Sequence, residues 1–253
     1  MFDLSGKVAL VTGARRGMGK ADSLALSSQG AAVAVTDINL GECQAVVNEI
    51  TAKGGQAVAF KMDVSNVAEV NSVFDEAIKC FGRLDILVNN AGIYEPKPAL
   101  DLTEEEWERT IHINLKGQFL CAQRAAREMA KNKWGRIINI ASIASGQVGI
   151  GISGGVHYTA SKGGVLGMTE TLADEFAPLG INVNAIAPGA IDTPMASSAN
   201  MAKEAMDYFL NKIPLKRMGK AEEIASVVVF LSSEEASYIT GSTIYVDGGW
   251  LSD

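Results

Sequence analysis

Tyr158 and Lys162 stand four residues apart in the run Tyr-Thr-Ala-Ser-Lys, near the start of a long helical pattern. On a helix that spacing puts both side chains on one face, one turn apart. An ammonium held beside a phenol favours phenolate, so the lysine is expected to pull the tyrosine pKa down from about 10 toward working pH. A phenol tuned this way takes a proton from an alcohol or returns one to a carbonyl. Tyrosine and lysine at helical spacing are more often an ordinary surface pair. The pair therefore gains meaning from two further features, a serine at a strand end upstream and a glycine-rich turn near the start of the chain.

That turn follows a continuous apolar run, Val8-Ala9-Leu10-Val11, which reads as a strand buried on both faces. The run ends in Thr12-Gly13-Ala14-Arg15-Arg16-Gly17-Met18-Gly19, and a helical stretch follows over 20–28. Glycines between a strand and a helix allow a tight turn and let backbone approach a pyrophosphate at the helix N-terminus. A second apolar run over 31–36 ends at Asp37, where an acidic residue of such a unit hydrogen-bonds the adenosine ribose hydroxyls. The competing reading of Asp37 is a strand-end or helix-capping residue.

The elements that must position these residues alternate along the chain. Helices are expected near 40–53, 66–81, 103–131, 158–176 and 221–231, and strands over 57–63, 84–89, 136–141, 182–187 and 242–246. Such alternation predicts an α/β fold with a doubly wound, Rossmann-type parallel sheet, in which ligands sit at the carboxyl ends of strands. No linker or low-complexity run interrupts it, so residues 1–253 are expected to form a single domain.

Composition narrows the function. The 253 residues are 47% hydrophobic and 20% charged, ordinary for a globular chain that needs no disulfide or metal staple. A formal net charge of −7 argues against a nucleic-acid partner. Cys43, Cys80 and Cys121 are far apart and are expected to be reduced, buried and apolar in character. His112 and His157 lack clustered ligands, so no metal site is expected, and His112 reads as an interior or interface histidine. The N-terminus has no signal-peptide pattern and no apolar run reaches about 18 residues. A cytoplasmic location and no membrane partner are expected.

Taken in order, five motifs resemble the short-chain dehydrogenase/reductase family: 12–19, Asn89-Asn90-Ala91-Gly92, Asn114, Ser142 with Tyr158 and Lys162, and Pro188-Gly189. The resemblance runs from about residue 4 to 249. It implies a seven-stranded parallel sheet, a homotetramer and a nicotinamide cofactor. Gly13, Gly17 and Gly19 would line the pyrophosphate turn, with Met18 among the cofactor contacts, and Arg16 would contact the pyrophosphate or pair with Asp37. Asp63 and Val64 would meet the adenine, and Asn90, Ala91 and Gly92 the cofactor ribose, while Asn89 would tie neighbouring strands. Pro188, Gly189, Ile191 and Thr193 would border the nicotinamide. Lys162 would bind the nicotinamide ribose, Ser142 the substrate oxygen, and Asn114 would support a water relay from Lys162. The family commonly places its serine about a dozen residues before the tyrosine, and Ser142 precedes Tyr158 by sixteen. Ser145 has the commoner spacing and stands as the alternative, but the strand pattern leads straight into Ser142.

The implied activity is reversible hydride transfer between the cofactor and a secondary alcohol/ketone pair, with Tyr158 as general acid/base. Asp37 favours NAD, because a carboxylate at the ribose repels the 2′-phosphate of NADP. The expected substrate is a small or medium apolar alcohol or ketone under the segment 195–213, rich in Met and aromatic residues. The alternative is a 3-oxoacyl-[acyl-carrier-protein] reductase, a branch that typically uses NADPH. Asp174, where that branch commonly has arginine, would repel an acidic carrier, and Lys131, Lys133 and Arg136 would partly compensate. A nucleotide sensor on the same fold has little reason to keep Asn114, Ser142, Tyr158 and Lys162 together.

Overall fold

The first apolar run forms β1 (Val8–Thr12), every residue of it buried. Around it the structure, a computed structural model, describes residues 1–146, 149–197 and 210–252. β2 (Ala32–Asp37), β3 (Ala57–Lys61), β4 (Ile86–Asn89), β5 (Gly135–Ile140), β6 (Ile181–Pro188) and a late strand, β9 (Thr243–Val246), complete a seven-stranded sheet in the order β3-β2-β1-β4-β5-β6-β9. All its ladders are parallel, with Val8 opposite Ala32 and Ala9 opposite Ile86. The chain winds outward from β1 in one direction, then returns and winds in the other. The crevice between β1 and β4, at their carboxyl ends, is the switch point where such sheets take ligands.

Strands without polar alternation need cover on both faces, and the helices supply it. On one face Val11, Val33 and Ile138 pack with Leu26 of α1 (Gly17–Ser28), Val46 of α2 (Leu40–Ala52) and Val228 of α8 (Ala221–Ser232). On the other, Leu10, Leu87 and Ile137 meet Phe74 of α3 (Val67–Phe81), Cys121 of α5 (Gly117–Asn132) and Leu172 of α6 (Val156–Phe176). Asn66 caps α3 by accepting from the Ala68 and Glu69 N–H groups, and Gly82, at φ 79°, ends it. A short ladder of β7 (Ile191–Asp192) and β8 (Gly219–Lys220) brackets the small helix α7 (Pro194–Ser197).

Some expectations change. The helical region 103–131 is α4 (Glu104–Ile111), a π-helical turn (His112–Lys116) and α5. Cys43 and Cys121 are buried, and burial pushes both thiols up to about 12, but Cys80 is exposed. His112 is not interior: it is 43% exposed beside Glu108, at 3.6 Å. Among the described residues no helix is long and apolar enough to cross a membrane, and no group of His, Cys, Asp and Glu could hold a metal.

Candidate active site

A cleft of about 470 Å³ opens at the β1/β4 crevice, lined by Gly13, Arg15, Arg16, Gly17, Met18, Asp37, Asp63, Val64, Asn90, Ala91, Gly92 and Thr193, among others. Its floor is the glycine turn. Gly13 has φ +64°, and a Cβ there would lie 2.8 Å from the Ala91 Cα. The side-chain amide of Asn90 donates to the Thr12 and Gly13 carbonyls, each at 2.9 Å, and the Thr12 hydroxyl accepts from the Asn90 and Ala91 N–H groups at 3.0 Å. The turn and the β4 end are thus locked together. Gly19 does not line the cleft: a Cβ there would lie 2.5 Å from Asn90 Nδ2 and the Gly13 carbonyl oxygen, so its bareness serves helix–strand packing. Asn89 is buried and donates to Asn139 on β5 at 2.9 Å, tying the strands as expected.

At the other wall, Asp37 is 9% exposed and pairs with Arg15, not Arg16. Arg15 Nε stands 3.3 Å from Asp37 Oδ1, and Nη1 donates to Glu42 Oε1 at 2.8 Å. Arg16 is exposed at the start of α1 and makes no ion pair among the described residues. Which of two adjacent arginines turns toward Asp37 depends on the twist of the turn, and sequence spacing does not supply that.

The four expected catalytic residues come from two elements and a loop, and converge beyond Gly92. Tyr158 and Lys162 lie in the first turns of α6, as their spacing predicts. Lys162 Nζ is 5.7 Å from the Tyr158 ring centroid and donates to the Ile140 carbonyl, at the end of β5, at 2.7 Å. Asn114 is fully buried in the π turn; its Oδ1 accepts from the Ile93 N–H at 2.8 Å and its Nδ2 donates to the Ile93 carbonyl at 2.9 Å. Ser142 follows β5, and its Oγ accepts from the Ala144 N–H at 3.0 Å. Ser145 is buried, and its hydroxyl has no partner among the described residues.

The electrostatics correct one expectation. Burial raises the Tyr158 pKa, the Ser142 hydroxyl pulls it back, and Tyr94 adds to the rise. Burial likewise lowers Lys162 to about 8. Desolvation disfavours the charged form of each.

Two residues passed over by the motifs belong to the site, Arg15 and Tyr94. The Tyr94 ring meets the Tyr158 ring edge-on, centroids 4.9 Å apart, and also lines the cleft. Its place directly after Asn-Asn-Ala-Gly and Ile93 was the available signal. His157, buried, has Nε2 3.1 Å from the Glu95 carbonyl, so it braces the loop and does not face the phenol's partners. Pro188, Gly189 and Ile191 lie outside the cleft lining; the Pro188 carbonyl accepts from the Ile143 N–H at 3.0 Å, and Ile191 is buried toward Gly219. Of the expected substrate-covering segment 195–213, residues 198–209 lie outside the described ones, and Met195 lines the cleft.

Comparison with known proteins agrees with this geometry. The family model described as enoyl-(acyl carrier protein) reductase matches residues 13–251. The 3-oxoacyl-[acyl-carrier-protein] reductase FabG of Thermotoga maritima is 41% identical, over 97% of this chain and 98% of that protein. A putative short-chain alcohol dehydrogenase from Sinorhizobium meliloti superposes with a TM-score of 0.96 at 44% identity, covering 100% of this chain and 99% of that one. A putative 2-deoxy-D-gluconate 3-dehydrogenase from Agrobacterium tumefaciens, with bound NADP, gives 0.91 at 38%, covering 100% and 99%. With sheet order, motif geometry and full-length similarity in agreement, the chain belongs to the short-chain dehydrogenase/reductase family of oxidoreductases.

Proposed function

We propose that this protein is an NAD-dependent oxidoreductase that interconverts a free, apolar secondary alcohol and its ketone. The observation that carries the reading is the convergence of Tyr158, Ser142, Lys162 and Asn114 beyond one end of a cleft whose other end holds Asp37. The residues present fit a dinucleotide. A Cβ at Gly13 would fill the space against Ala91, so only bare backbone lines the turn there, and Asp37 ends β2 with its carboxylate in the cleft. Gly13, Gly17, Asn90, Ala91 and Gly92 would hold the middle of the cofactor, and Asp63 and Val64 the adenine end.

Bound there, a nicotinamide cofactor supplies the redox chemistry, and the protein supplies orientation and proton transfer. Tyr158 holds the proton on its phenol oxygen, gives it to the substrate oxygen in reduction and takes it back in oxidation. Ser142, within reach of the same phenol, is placed to donate to that oxygen. Lys162, anchored on the Ile140 carbonyl, stabilises tyrosinate whenever the proton has left. Asn114 spends its amide on Ile93, which fixes the loop bearing Tyr94. A homotetramer and a cytoplasmic location go with this reading; a protomer mass by light scattering would contradict the first.

The test is turnover of a panel of ketones and secondary alcohols by the wild type and by Tyr158→Phe. The variant keeps the ring and deletes the proton carrier, so turnover is expected to fall at least about 100-fold with NADH binding retained. Near wild-type turnover would remove Tyr158 from the mechanism.

A second reading, reduction of a 3-oxoacyl group on an acidic carrier protein, is favoured by the similarity to FabG. The surface speaks against it. Asp174 is exposed, Arg136 is buried against Trp134 and near Glu234, and Lys131 is paired with Glu128 at 2.6 Å. Two of the three cations expected to compensate are thus paired within the protein, and Lys133 is exposed with no ion pair among the described residues.

A further inference from the structure

The choice between NAD and NADP turns on more than Asp37, because a second carboxylate stands behind it. Arg15 belongs to the glycine turn and lines the cleft beside Asp37. Its Nε is 3.3 Å from Asp37 Oδ1, and its Nη1 donates to Glu42 Oε1 at 2.8 Å. Glu42 is itself held in place. The same Oε1 accepts from Asn39 Nδ2 at 2.7 Å, and the Glu42 N–H donates to Asn39 Oδ1 at 3.2 Å as the cap of α2. The guanidinium is thus pinned between the end of β2 and the start of α2, with Nε and Nη1 turned onto two carboxylates.

An arginine recognises phosphate through a planar fork of N–H groups, and a fork spent on carboxylates is not available to a phosphate. Within the clamp two carboxylates surround one paired guanidinium, a net charge of one negative beside the ribose site, and Arg16, without an ion pair among the described residues, is the neighbouring cation of the same cleft.

We propose that Glu42 is a positioning residue for cofactor selectivity, which keeps Arg15 from a 2′-phosphate by holding it in the Asp37–Arg15–Glu42 clamp. The proposal rests on the NAD reading above. It assigns the discrimination to α2 as well as to the strand end. Neutralising Glu42 while leaving Asp37 frees the outer half of the fork without removing the group that meets the ribose hydroxyls. NADP gains a partner, and NAD loses none.

Isothermal titration calorimetry with NADH and with NADPH tests it, on the wild type, Glu42→Gln, Arg15→Ala and the double variant. Glu42 is 44% exposed, and a glutamine in its place keeps the backbone N–H that completes the cap, so the fold is not at risk. Glu42→Gln is expected to lower the NADPH Kd about tenfold, the scale of one charge-assisted hydrogen bond, with the NADH Kd changed less than about threefold. In the double variant that gain is expected to vanish, because it acts through Arg15. An unchanged NADPH/NADH ratio in Glu42→Gln would overturn the proposal. So would a gain that survives without Arg15, since Glu42 would then act by repulsion alone. A wild type that binds NADPH more tightly than NADH would overturn the NAD assignment instead, and leaves the comparison between variants fully readable.

Discussion

Ser142 and Ser145 lie three residues apart after β5, and their surroundings separate them. The Ser142 hydroxyl acts on the Tyr158 phenol, whereas the Ser145 hydroxyl is buried without a partner among the described residues. Ser142→Ala is therefore expected to lower kcat about 100-fold, as loss of one donor to a reacting oxygen does, and Ser145→Ala to stay within about threefold. Steady-state kinetics of the two variants checks this, and the reverse order would move the role to Ser145. At this scale the sequence was informative where chemistry depends on local spacing. Tyr158 and Lys162 share a face because a helix repeats every turn, and the strand pattern leading into Ser142 outweighed the commoner spacing of Ser145. It pointed the wrong way on the Tyr158 shift, because the desolvation that raises the phenol belongs to the packed state. It was silent on Arg15 against Arg16, where only the folded turn shows which guanidinium reaches Asp37.

Among the elements, α1 carries a feature no motif marks. Asp22 lies on its buried face with Gly19, Ser23 and Leu26, fully buried, and neither carboxylate oxygen has a partner among the described residues. Burial raises its pKa well above 3.8. The sign of the consequence follows from linkage. A carboxyl whose folded pKa lies above its unfolded value contributes stability that is complete below the unfolded value and is lost as pH rises toward the folded one. Wild-type stability is therefore expected to fall from about pH 5 to about pH 8 more steeply than that of Asp22→Asn, which has no proton to lose. Urea unfolding at the two pH values measures the slopes, and equal slopes would contradict the account. Elements of strong apolar pattern, such as β1 and β2, were legible because a strand covered on both faces reads as a continuous apolar run. The π turn that seats Asn114 was not, since one widened turn inside 103–131 leaves the helical pattern unbroken.

Over the whole molecule, the sheet order β3-β2-β1-β4-β5-β6-β9 brings glycine turn, Asp37 and the catalytic residues to one edge although they span most of the sequence. Alternation of strand and helix foretold that gathering, because parallel strands put all their carboxyl ends on one side. The surface away from the cleft was less legible. Lys131 and Arg136 read as free cations in the chain, and folding pairs them with Glu128 and Glu234. A net charge of −7 and an exposed Asp174 then disfavour an acidic carrier, with Lys133 the exposed cation of the three left without an ion pair among the described residues. The most direct measurement is kcat/KM for the best free ketone and for a carrier-linked 3-oxoacyl substrate, each with NADH and with NADPH. The highest value is expected for the free ketone with NADH, and a highest value for the carrier-linked substrate with NADPH would contradict both substrate and cofactor assignments.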